Sequence, residues 1–147
     1  MSAAADGMGR QIRQNLVALI SLVLAIASLG YTTWRNESSE AHRNVRQAAF
    51  RTLEVLEELQ VIVDARRYQG DKMRGDYVAG WARVNLISDL GLLIPGPQAQ
   101  VTDELRKTWQ ANFDKWYTDN DADAEARISA AIGATREATL GVLGMLR

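Results

Sequence analysis

The sequence predicts an all-α protein in which a single N-terminal transmembrane helix continues into an antiparallel four-helix bundle. Three observations predict this. Residues 14–34 contain no charged side chain, the rest of the chain repeats apolar residues at intervals of three and four, and that repeat is interrupted at three places. Residues 1–13 then form a disordered tail, 14–34 the transmembrane helix and 35–147 the helical bundle domain.

The first ten residues, MSAAADGMGR, are small and polar, as in an unanchored terminus. The stretch RQNLVALISLVLAIASLGYTTWRNE, residues 13–37, follows. Its uncharged run of 21 residues makes a helix of roughly 31 Å, close to the ~30 Å hydrocarbon thickness of a bilayer. Tyr31 and Trp34 stand at its C-terminal end, where aromatic rings prefer the headgroup layer, and Arg35 ends it. A core helix of a soluble domain would instead carry polar residues along one face. Arg10, Arg13 and the small-x-small triplet at 25–27 also fit a cleavable signal peptide. The apolar run continues past Ala27 to Trp34, beyond the ~7–15 residues typical of such peptides, so a retained anchor is the better reading.

Within the anchor, Ala18, Ser21, Ala25, Ser28 and Thr32 recur at alternating steps of three and four. All are small or weakly polar. Between helices in lipid, close backbone approach and hydroxyl hydrogen bonds drive association, so these five form a candidate seam for another transmembrane helix. Continuing the count reaches Ala49, Leu53, Leu56 and Val63.

Beyond the anchor, about 110 residues remain, enough for one small domain. No Gly or Pro occurs from Glu37 to Tyr68, so the first helix of the bundle needs no break after the membrane. Its apolar side holds Val45, Ala48, Ala49, Leu53, Val55, Leu56, Leu59, Ile62 and Val63. QGDKMRGD at 69–76 ends it. Asp76 caps a second helix with Tyr77, Trp81, Val84, Ile87 and Leu90 on one face, and IPGPQ at 94–98 stops that helix. A third runs from about Gln98 to Thr118 and a fourth from about Ala122 to Leu146.

Formal net charge is −1, which supplies no electrostatic reason to bind nucleic acid. Cysteine is absent, which removes disulfides, thiolate metal sites and cysteine nucleophiles. Arg10 and Arg13 flank one end of the anchor, whereas Arg35, Arg43, Arg46 and Arg51 follow the other. That asymmetry places the bundle in the cytoplasm.

The segments NLVALISLVLAIASLGYTTWRNESSEAHRNVRQAAF, LEELQ and GWARVNLISDL resemble a group of small, uncharacterised single-pass proteins of bacterial inner membranes. In these an anchor runs into a Y-x-T-W-R-N-E segment and a helical domain. The resemblance implies an inner-membrane location and a helical fold, and it carries no catalytic role.

No residue pattern points to catalysis, a cofactor or a metal. Asp119, Asp121 and Asp123 have the first spacings of an EF-hand loop, but Ala124 stands where the turn needs glycine and Ala130 where a closing Glu is needed. Asn120 or Asp121 instead caps the last helix, with Asp123 and Glu125 complementing its dipole. Glu54, Glu57 and Glu58 read as a solvated face, because a di-iron bundle needs two Glu-x-x-His motifs and the chain has one histidine, His42. Trp81, Trp109, Trp116, Tyr77, Tyr117 and Phe113 read as core rather than a ligand pocket, and Arg66 and Arg67, with Arg43, Arg46 and Arg51, as an ordinary solvated face, because acids are interspersed among them.

Two function classes fit. One is a non-enzymatic, membrane-anchored assembly or accessory subunit that associates through its anchor with itself or with a larger membrane complex. The other is a ligand-sensing helical-bundle module, which would normally need a further span or output domain.

Overall fold

The computed structural model describes the backbone of residues 2–146 and the side chains of 15–35 and 40–146. All regular structure among the described residues is helical: α1 Ser2–Tyr68, α2 Tyr77–Leu92, α3 Gln98–Asp114, a π-helical turn Lys115–Asp119, and α4 Ala122–Met145. The chain divides into two units, Met1–Ala41 and His42–Arg147. The tail expected over 1–13 falls at the start of α1, outside the residues whose side chains are described.

In the second unit each helix runs antiparallel to the one before it, and α4 returns against α1. Arg46 reaches the carbonyl of Leu146 while Gln60 bonds Ser129, so α1 and α4 run in opposite directions. Glu58 pairs with Arg83, and Gly75 lies against Arg66, which orders α2 against α1 in the same way. Gln98 bonds Thr139 at 2.6 Å and Arg127 bonds Asn112, fixing α4 against α3.

The breaks have local causes. Asp76 accepts hydrogen bonds from the backbone N–H groups of Val78 and Ala79, satisfying donors that the first turn of α2 leaves free. Asp71 accepts from Met73 and Arg74 in the preceding loop, where Gly70 takes a φ of +65°. Of the two residues expected to cap α4, Asp121 does so, accepting from Ala124 at 2.7 Å. Asn120 instead adopts the left-handed conformation that ends the π-turn.

The core holds Val55, Leu56, Leu59, Val63, Val84, Ile87, Leu105, Trp109, Trp116, Ile128 and Ile132. A smaller cluster of Ala48, Ala49, Ile94 and Val142 lies nearer the start of the unit. Along α1 the buried stripe steps through Ala49, Thr52, Leu56, Leu59, Val63 and Arg66, whereas Leu53 is half-buried. Thr52 enters the core because its hydroxyl donates to the Ala48 carbonyl at 2.9 Å, leaving only its methyl to pack.

Candidate functional site

Every side chain from Asn15 to Arg35 is exposed. Leu16, Leu19, Leu22, Leu24, Ile26 and Leu29 show between 56% and 71% of their surface, and none of the described residues covers them. This is the one helix among the described residues long and apolar enough to cross a membrane. Its hydroxyls suit an apolar surrounding: Ser21 donates to Val17, Thr32 to Ser28 and Thr33 to Leu29, at 2.8, 2.8 and 3.0 Å. Tyr31 and Trp34 lie with ring centroids 6.3 Å apart at the C-terminal end of the run.

All five seam residues, Ala18, Ser21, Ala25, Ser28 and Thr32, belong to this exposed stretch. Two of the three hydroxyls are already bonded within the helix, so the seam offers close backbone approach more than free donors.

The glutamates of α1 do more than face solvent. Glu58 pairs with Arg83 of α2 at 3.0 Å, Glu57 with Arg136 of α4 at 2.5 Å, and Glu54 with Arg51 at 2.9 Å. The bond to Glu54 raises the Arg51 guanidinium above its ordinary range, with Glu58 adding to it. Glu54, Glu57, Glu58, Val61, Ile62 and Arg83 line an open groove of about 540 Å³ between α1 and α2. On α3, Lys107 and then Arg106 hold the Asp103 carboxyl below the usual carboxylate range.

The aromatic residues pack on one another. Trp109 and Trp116 are fully buried with centroids 5.3 Å apart, and Trp81 meets Trp109 edge-on at 6.4 Å. Tyr77 and Tyr117 close the cluster at 4.9 Å. Trp116 donates from Nε1 to the Val63 carbonyl at 3.3 Å, tying the π-turn to α1.

Arg66 and Arg67 correct the reading as ordinary surface. Arg66 is 6% exposed, its Nε donates to the Tyr117 carbonyl at 2.8 Å, and its guanidinium lies 5.7 Å from the Tyr117 ring centroid. Arg67 donates to the Asn120 carbonyl at 3.0 Å. The two side chains satisfy carbonyls that the end of α3 and its π-turn leave unpaired within the helix. Sequence periodicity missed this because adjacent arginines look the same whether they meet water or a helix end.

His42 and Glu40 are exposed at the junction of the two units. The acidic stretch is spent on the start of α4: Asp121 caps it, Asp123 and Glu125 lie in its first turn, and Glu125 accepts from Ser129 at 2.6 Å. Among the described residues no group of three or more His, Asp or Glu side chains is placed to hold a metal ion. Comparison with known proteins finds no matching family, no matching curated protein and no matching solved structure.

Proposed function

We propose that the chain is a membrane-anchored helical module of the bacterial inner membrane that performs no chemistry and acts by assembly. In this reading the run from Gln14 to Trp34 spans the bilayer and the bundle faces the cytoplasm. The anchor's small-residue seam packs against another transmembrane helix, from a second copy or a larger membrane complex. The observation that carries the proposal is the wholly exposed apolar surface between Asn15 and Trp34. In water that surface is costly at about 25 cal/mol per Å², and lipid removes the cost. The Arg43, Arg46 and Arg51 side supports the cytoplasmic orientation. The resemblance to small single-pass inner-membrane proteins supports the location.

The test is purification of the tagged full-length protein in mild detergent, with its mass in solution and co-purifying proteins determined. A homo-oligomer, or one partner in fixed stoichiometry, is expected. A lone monomer would overturn assembly and favour the sensing module, whose ligand would be sought in the groove between α1 and α2.

A further inference from the structure

The two ends of the bundle differ in chemistry. One end is built from the start of α1 in this unit, the turn between α2 and α3, and the last turns of α4. Ala48, Ala49, Ile94 and Val142 pack together there, and Arg46 donates to the Leu146 carbonyl. Around it large apolar side chains remain uncovered: Phe50, Leu92, Leu93, Leu140 and Met145, from 51% for Leu140 to 84% for Met145. Phe50 and Leu140 line an open groove of about 530 Å³ with Arg46, Leu143 and Gly144. Residues 42–53 carry Arg43, Arg46 and Arg51 and no acid; Glu40 and Glu54 flank them, Arg51 pairs with Glu54 at 2.9 Å, and the acids toward this end of α2, α3 and α4 are Asp89, Asp103 and Glu137.

The opposite end consists of the loop after α1 and the passage from α3 to α4. It holds Asp71, Asp76, Asp114, Asp119, Asp121, Asp123 and Glu125 against Lys72, Arg74, Lys115 and the carbonyl-bonded Arg66 and Arg67. Tyr68, Met73, Tyr77 and Val78 are its large exposed apolar side chains.

We infer that the apolar, arginine-bearing end is a lipid-contacting surface, an inference that rests on the anchored reading above. Three features favour a bilayer as its occupant. First, chain length alone holds this end near the membrane: seven residues separate Trp34 from His42, a reach of roughly 25 Å even when fully extended. Tethering at that distance gives a high effective concentration, so a weakly apolar surface is enough for contact. Second, the five side chains come from α1, α2 with its C-cap, and α4, so they ring an end rather than form one helix stripe. A ring suits a plane; a stripe suits a partner helix. Third, the sign of charge fits, because arginines beside the apolar groups attract anionic headgroups and the acid-rich end is repelled by them.

The absence of cysteine allows a direct test with single-cysteine variants of the full chain. L93C, M145C, M73C and I20C would each carry a nitroxide and be reconstituted into vesicles of phosphatidylcholine and phosphatidylglycerol. Spin-label power saturation then compares accessibility to oxygen, which partitions into lipid, with accessibility to a water-soluble nickel chelate. The expected result is a several-fold higher oxygen-to-chelate ratio at positions 93 and 145 than at 73. All three side chains are more than 60% exposed in the structure. I20C reports the anchor separately. An aqueous signal at 20 would overturn the anchored reading itself. A lipid signal at 20 with aqueous signals at 93 and 145 would overturn the lipid-contact inference alone. Shielding of 93 and 145 from both reagents would also overturn it, by showing that a second copy covers this end.

Discussion

Gly80 and Gly91 set the distance between α2 and α3. They lie three helical turns apart, on one face of α2. A Cβ at Gly80 would collide with the Trp109 ring, and one at Gly91 would lie 2.8 Å from the Thr102 methyl and closer still to its hydroxyl. The Trp109 ring is fully buried among other aromatics and has no space to move. Gly80→Ala is therefore expected to destabilise by about 1–3 kcal/mol through overpacking. Gly141→Ala is expected to do the reverse, gaining about 0.4–1 kcal/mol, since it is helical, exposed and has open space around it. Thermal unfolding of both variants in detergent, followed by tryptophan fluorescence, checks the opposite signs. Equal shifts would mean that α2 and α3 are not in close contact. Truncating Leu56 to Ala should cost about 2–5 kcal/mol because its side chain is fully buried. Glu54→Ala, at an exposed pair within one helix, should cost far less.

Among the elements, the π-turn and the anchor helix carry the clearest consequences. Arg66 and Arg67 hold the carbonyls at the end of the π-turn, and Trp116 of the same turn bonds the Val63 carbonyl. Replacing Arg66 by Ala leaves the Tyr117 carbonyl without its charged donor, at a cost of about 1–3 kcal/mol. The change should appear in near-ultraviolet circular dichroism from Trp116 and Tyr117. A spectrum and melting temperature equal to those of the parent would show that water replaces the arginine without loss. For the anchor, Ala25→Leu and Ser28→Leu should weaken association while preserving insertion, because both add apolar volume at the seam. Leu22→Ile is the control. If neither seam variant changed oligomer size or partner recovery, the anchor would be a passive tether.

At the scale of the whole molecule, the exposed apolar run predicts an integral membrane protein that keeps its N-terminus. Extraction of membranes with alkaline carbonate should leave the chain in the pellet, and intact-mass measurement should find it uncleaved. A soluble species beginning at Ser28 would restore the signal-peptide reading. The bundle's α1 stripe keeps Ala49, Leu56 and Val63 of the count that passes through Leu53, and buries Thr52 in place of Leu53. Counting apolar residues alone selects Leu53, because it has no means of scoring a threonine whose hydroxyl is bonded to its own helix.

The sequence by itself determined the helical class, the four helices, the cap at Asp76, a cap for α4 at Asn120 or Asp121, and the one helix apolar enough for a membrane. Each of these rests on local physics: helical periodicity, side-chain caps, proline and glycine breaks, and uninterrupted apolar length. Tertiary structure alone decided which polar residues are buried. Gln98, Thr102, Thr135 and Thr139 are all buried, with Gln98 bonded to Thr139 and the threonines bonded to carbonyls of their own helices. It also decided that Arg66 and Arg67 close a helix end, that Glu57 and Glu58 reach α4 and α2, and that two glycines admit a tryptophan and a threonine. The threonines satisfy their hydroxyls locally, whereas for Gln98, the two arginines, the two glutamates and the two glycines the deciding partner is distant in the chain. A polar or small residue enters a core according to what a neighbouring helix presents to it, and that partner does not enter the residue's own local pattern.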